Sequence, residues 1–195
     1  MSLIVAVKSK KKILMGCDSR VTCGTELKLI KEGDEEKIVK LGNVYLGAAG
    51  VVSEIQILKS NPGWFDTGGK PLTKKFLVLN VIPRFYDTLV KERKFDTKDD
   101  TMDEPTCSSR FIVSDGKRAF LISKDLSVQE INERSIIGCG CYFATPIIDN
   151  ALKNNKDARE AILEVLRKTA KRYSGVDAPY ILIDTTDVTY ERIDS

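Results

Sequence analysis

The chain has 195 residues, 42% hydrophobic and 30% charged, with 31 Lys and Arg against 28 Asp and Glu, a formal net charge of +3. That length predicts one domain over residues 1–195, and the composition excludes disordered, collagen-like and low-complexity classes. So small a charge imbalance makes no global case for a nucleic-acid or membrane partner. Histidine is absent, which excludes Ser-His-Asp triads, Cys-His dyads and histidine-ligated metal sites. Any hydrolytic chemistry here needs another base.

In chain order, Leu3–Val7 and Ile13–Cys17 are short β-rich runs around the polar stretch Lys8–Lys12, and predict a hairpin with a solvated, charged loop. The apolar run precedes the lysines, the reverse of a secretory signal. Glu36–Leu41 and Val44–Ala49 predict a second hairpin, with Gly42-Asn43 suiting a type II′ turn. Val51, Ile55 and Leu58 recur at helical spacing, so a helix is expected just after Gly50. Asn61–Gly69 is rich in breakers and reads as loop. Leu72–Arg93 predicts an amphipathic helix with its stripe at residues 72, 76, 79, 82, 86 and 90, kinked or split at Pro83. Lys94–Ser109 reads as a long polar loop, and exposed loops there and around Trp64-Phe65 are candidate contacts for neighbouring subunits.

Strand-like runs follow at Phe111–Val113, Ala119–Ile122, Leu126–Val128 and Ser135–Ile137. Helices are expected at Tyr142–Asn154 and Asp157–Tyr173, the second burying Ala158, Ala161, Ile162, Val165, Leu166 and Ala170. Strands at Tyr180–Ile183 and Val188–Ile193 close the chain. Strands grouped in this way, with no alternation with helices, predict an α+β fold of antiparallel sheets with segregated helices. No apolar stretch approaches the roughly 20 residues that cross a bilayer. The five cysteines (Cys17, Cys23, Cys107, Cys139, Cys141) are an odd number without framework spacing and read as reduced thiols of a cytoplasmic protein. Cys139-Gly140-Cys141 has no second ligand pair to complete a metal site, so neither metal nor cofactor is expected.

The hairpins gather candidate chemistry at one sheet edge. A first turn centred on Lys10 places Ser2 opposite Asp18. A second turn at Gly42-Asn43 pairs Lys37 with Ala48, so Lys37 and Gly50 share an end. If Met1 is removed, Ser2 acquires an α-amine beside its own hydroxyl, and an amine with an ordinary pKa of about 7.7–8.0 can serve as a base at neutral pH. Lys37, held by Asp18, would lower the pKa of amine and hydroxyl alike. The Gly50 N–H at a helix start would face a developing oxyanion. Read singly, each residue has a plainer role: Asp18 as a turn cap, Lys37 as a solvated lysine, Gly50 as a turn glycine.

Together these residues resemble a known family. Ile4–Lys8 with Ile13-Leu14-Met15-Gly16-Cys17-Asp18-Ser19-Arg20-Val21-Thr22-Cys23-Gly24 is similar to the opening of proteasome β-type subunits and of the HslV peptidase. Glu36–Leu41 with Tyr45–Gly50 resembles the next block, and Ile136–Ala144 the glycine-rich segment that opens a later helix. The resemblance implies a four-layer αββα sandwich of the N-terminal-nucleophile hydrolases. It implies a threonine/serine-type peptidase that degrades unfolded polypeptides inside a ring of copies of itself, with an ATP-dependent unfoldase as possible partner. By position it implies Ser2 as nucleophile, Asp18 and Lys37 as the site's acid and lysine, and Gly50 as oxyanion glycine. Thr22, Ala48 and Ala49 then present the strands that hold substrate, and Cys139 supports the nucleophile. The chain departs from the family in having serine for threonine at the nucleophile, Leu3 after it, cysteine at 139, three extra residues between Thr22 and Lys37, and no clear counterpart of a helix-end aspartate near Tyr173. Two alternatives remain open at this level: a catalytically silent ring subunit, and a small-molecule amidase of the same superfamily.

Overall fold

The computed structural model describes residues 2–10, 12–23, 26–29, 36–92 and 106–194. Two five-stranded antiparallel sheets face each other. One has the order β10-β1-β2-β11-β12, from β1 (Leu3–Ser9), β2 (Lys12–Asp18), β10 (Arg134–Gly138), β11 (Tyr180–Asp184) and β12 (Thr189–Ile193). The other runs β5-β6-β7-β8-β9, from β5 (Ile38–Leu41), β6 (Val44–Ala49), β7 (Arg110–Ser114), β8 (Ala119–Ile122) and β9 (Val128–Glu130). A separate hairpin joins β3 (Arg20–Cys23) and β4 (Glu26–Leu29), which the polarity of that segment concealed.

The layers follow from the two-residue period of the strands. In β1, Leu3, Val5 and Val7 face a core shared with α4 (Cys141–Lys153) and α5 (Ala158–Ala170), while Ile4 and Ala6 face the other sheet. In β6, Val44, Leu46 and Ala48 turn toward the helices that follow, and Tyr45 and Ala49 turn inward. Ile4, Met15, Ile38 and Ile112 meet in the middle layer. Burying apolar side chains on both faces of each sheet requires a helix layer outside each. The result is the expected αββα sandwich.

The first hairpin pairs Ile4 with Cys17 and Ser9 with Lys12, one residue out of the expected register. Its turn falls after Ser9 with Lys10 at φ +54°, so Leu3, not Ser2, lies level with Asp18. The second hairpin has the expected register, Ile38 against Gly47, turning at Gly42 with φ +59°. Pro62–Phe65, read as open loop, is a 3₁₀ turn that buries Phe65 completely.

Helix α1 spans Val52–Lys59. The expected long helix is instead α2 (Lys74–Phe76), a π-helical turn (Leu77–Val81), α3 (Ile82–Asp87) and a second π-helical turn (Thr88–Glu92). The residues fully buried along it are Leu77, Val81, Phe85 and Leu89, four apart, and not the stripe expected at 3.6-residue spacing. The wide π turns hold that four-residue spacing on one face, and Pro83 follows the first of them as the second residue of α3. α5 begins at Asp157, whose side chain accepts from the Arg159 N–H. Of the stretch expected to loop from Lys94 to Ser109, residues 94–105 lie outside the described residues. No helix of the described residues is long and apolar enough to cross a membrane.

Cys17, Cys107, Cys139 and Cys141 carry free thiols. Burial pushes the Cys17 thiol up to about 12 and the Cys107 thiol up to about 11. An unfolded thiol ionises near ~8.5, so above that pH the unfolded chain holds fewer protons than the folded one and stability falls as pH rises. Urea denaturation at increasing pH should show this loss from about pH 8.5 upward, at up to about 1.4 kcal/mol per pH unit for each thiol. Cys17→Ala should remove its share of the slope.

Candidate active site

Antiparallel pairing brings the start of one strand beside the end of the next, and both sheets use this at the same edge. In the first sheet Ser2 precedes β1, Asp18 ends β2 and Gly138 ends β10. In the second, Lys37 precedes β5, Ala49 ends β6 and Arg110 opens β7. The site therefore rests on strand ends, whose positions the ladders determine.

Asp18 is 0% exposed. Its Oδ1 accepts both the Leu3 N–H at 2.8 Å and the Lys37 ammonium at 2.7 Å, and its Oδ2 accepts the Arg20 N–H at 3.0 Å. Lys37 Nζ also donates to the Arg20 carbonyl at 2.5 Å. A buried carboxylate is tolerable only when its charge is balanced and its lone pairs are occupied, and three donors do this here. One carboxylate oxygen thus links the Lys37 ammonium to the peptide between Ser2 and Leu3. Arg20 is anchored in turn: its guanidinium pairs with Asp177 and donates to the Ser174 carbonyl at 2.6 Å.

Ser2 is fixed from the other side by β10. The Cys139 N–H donates to the Ser2 carbonyl at 2.6 Å. Gly138, at φ +98°, lies so close that a Cβ there would fall 1.8 Å from the Ser2 carbonyl oxygen. Burial is the main cause that raises the pKa of the half-buried Cys139 thiol, so it is a protonated neighbour of Ser2 at neutral pH.

Gly50 has φ +150°, and a Cβ on it would fall 2.4 Å from Ser109 Cα and Oγ. Ser109 packs over this peptide and accepts the Val51 N–H on its Oγ at 2.9 Å, and Glu54 Oε1 accepts the Ser108 N–H at 2.9 Å. These two bonds clasp the start of α1 to the segment entering β7. They join residues more than fifty positions apart, beyond the reach of any local pattern.

A cleft of about 480 Å³ opens at this edge. Ser2, Ala49, Gly50, Gly138 and Cys139 line one part of it, and Ser108, Arg110, Lys124 and Tyr142 the rest. Ser2, Asp18, Lys37, Gly50, Ala49 and Cys139 are thus gathered at the edge. Ala48 is not: its methyl joins the helix-side core. Thr22 lies on β3, paired with Leu27, and its side chain lies outside the described residues. Arg110, Lys124, Ser108, Ser109 and Tyr142 escaped the sequence reading. The signal for Arg110 was a charge opening an apolar strand, but only the β6–β7 pairing, with Arg110 opposite Ala49, places it.

No protein-family model and no curated protein matches the chain in sequence. Among solved structures it is similar to Thiobacillus denitrificans BPH, at TM-score 0.76 and 14% identity over 98% of both chains. It also resembles that protein in complex with epoxomicin, at TM-score 0.74 and 14% identity over 99% of this chain and 100% of that one. A third neighbour is Anbu from Hyphomicrobium sp. strain MC1, at TM-score 0.67 and 19% identity, over 99% of this chain and 88% of that one. At these identities the likeness establishes the fold alone, one shared with BPH and Anbu, and does not single out HslV.

Replacing Lys37 by Met should leave the Asp18 carboxylate buried without its counter-ion, at about 3–5 kcal/mol of stability by denaturant titration. Gly138→Ala should displace Ser2 and destabilise the fold, because the colliding atom is backbone and cannot rotate away.

Proposed function

We propose that this chain is a proteasome-like peptidase of the N-terminal-nucleophile type, with Ser2 as nucleophile once Met1 is removed. The observation that carries the reading is the Asp18 oxygen shared by Lys37 and the Leu3 N–H, directly behind a Ser2 that opens into the cleft beside Gly50. The α-amine of Ser2 takes the hydroxyl proton, directly or through water, and Oγ attacks the substrate carbonyl carbon. The positive potential of Lys37 favours both the free amine and the developing alkoxide, and a backbone N–H at Gly50 stabilises the oxyanion. The peptide C–N bond breaks as the Ser2 ammonium returns its proton to the leaving amine. Water, activated by the same amine, then hydrolyses the ester and restores Ser2.

The fold it shares with an epoxomicin-bound protein and with Anbu supports this reading. Tyr142, 88% exposed at the cleft rim, offers an aromatic surface of the kind that further protein covers. On this reading copies of the chain form a ring, the substrates are unfolded polypeptides, and an ATP-dependent unfoldase delivers them.

Ser2→Ala should lower hydrolysis of fluorogenic peptides more than about a thousandfold while light scattering shows the same assembly. Epoxomicin should add to the wild-type chain by intact mass and leave Ser2→Ala unmodified. Full peptidase activity in Ser2→Ala overturns the assignment. Persistent Met1 in natively produced protein points instead to a silent ring subunit, since no α-amine then adjoins the hydroxyl.

A further inference from the structure

We propose that Arg110 and Lys124 form a subsite for a carboxylate of the substrate, in the same cleft as Ser2. The inference rests on the peptidase reading for the identity of the ligand as a polypeptide; the charge and geometry stand independently of it.

Arg110 pairs directly with Ala49, whose side chain faces inward from β6. Residues opposite each other in an antiparallel pair share a face, so Arg110 projects on the Ala49 side, one residue from Gly50. Phe111, the next residue, turns into the helix-side core. Lys124 follows β8, and its carbonyl accepts the Cys107 N–H at 2.7 Å, which ties it to the segment that delivers Arg110.

Among the described residues, the cleft lining includes these two cations and no carboxylate. A second recess of about 500 Å³ lies behind and shares Ser108, Arg110 and Lys124 with the first. The acidic residue lining it is Asp125, whose Oδ1 accepts from both the N–H and the hydroxyl of Ser127 and whose carboxylate is favoured further by the nearby Arg110 charge, without a salt bridge between the two. Glu54 lies outside the cleft lining with one oxygen on the Ser108 N–H. Among the described residues neither Arg110 nor Lys124 forms a salt bridge, and Arg110 Nε is buried without a hydrogen-bond partner. A buried donor left without an acceptor is costly, and a guanidinium is matched in shape to a carboxylate. The cleft therefore presents, close to Ser2, a guanidinium and an ammonium that no described carboxylate meets in an ion pair.

Two sources can supply that carboxylate: a Glu or Asp side chain, or a free C-terminus. Binding separates them without requiring turnover. Labelled peptides, matched except for Glu, Gln or Lys at one position and with the C-terminus free or amidated, are titrated against the Ser2→Ala protein by fluorescence anisotropy. Glu peptides should bind about tenfold or more tightly than their Gln counterparts, the worth of one hydrogen bond to a charged group, and Lys peptides more weakly still. Arg110→Gln and the exposed-site variant Lys124→Gln should each remove most of the difference, and Arg110→Lys should retain part of it. If preference follows the free C-terminus and disappears on amidation, the terminal carboxylate is the ligand and the subsite stands. Equal binding of Glu and Gln peptides with either terminus, a preference unmoved by both variants, or no binding by any peptide overturns the proposal. Charge-selective binding with no cleavage by the wild-type chain overturns the peptidase reading and leaves the subsite. Cleavage without charge preference does the reverse.

Discussion

The structure turns on one buried ion pair. Asp18 and Lys37 come from different sheets, and their contact crosses the gap between them at the edge where Ser2 lies. Removing both charges from water is costly, and their attraction offsets it only because the Leu3 and Arg20 N–H groups complete the carboxylate's bonding. Such a pair adds little net stability over a well-packed apolar substitute. What it contributes is position, because only one arrangement of β1, β2 and the residue before β5 satisfies every donor.

Around that pair the backbone is held by contacts that leave no space for side chains. Gly138 presses on the Ser2 carbonyl and Gly50 lies under Ser109. The clasp of Ser109 on Val51 and Glu54 on Ser108 joins the start of α1 to β7, so Gly50 is bounded by secondary structure on both sides. Sites built on ladder ends and packed glycines keep their geometry better than sites on free loops.

Much of the architecture was legible because its signals are local. The continuous apolar, β-rich runs Leu3–Val7 and Val44–Ala49, the Gly42-Asn43 turn and the apolar face of α5 all act over a few residues. The first hairpin slipped by one residue because four lysines in five positions carry no turn preference strong enough to locate its centre. The helical stripe between Leu72 and Leu89 was misplaced because π turns change the period, and nothing in side-chain chemistry announces a π turn. At the site, Asp18, Lys37 and Gly50 could be brought together from hairpin arithmetic and resemblance. Arg110, Lys124 and Ser109 could not, because their place depends on which strands of the second sheet are neighbours, and pairing order is a property of the whole chain.

Gly47, in the middle of β6, faces the core between the layers and governs how near the sheets come. A Cβ there would lie 2.7 Å from the Met15 terminal methyl and 3.1 Å from an Ile4 methyl, both in the interior between the layers. This bare stretch of β6 acts as a spacer of minimum thickness. Widening it would lengthen the reach Lys37 must make across the interlayer gap. The chemistry could then be lost through separation alone, with every polar residue of the site intact.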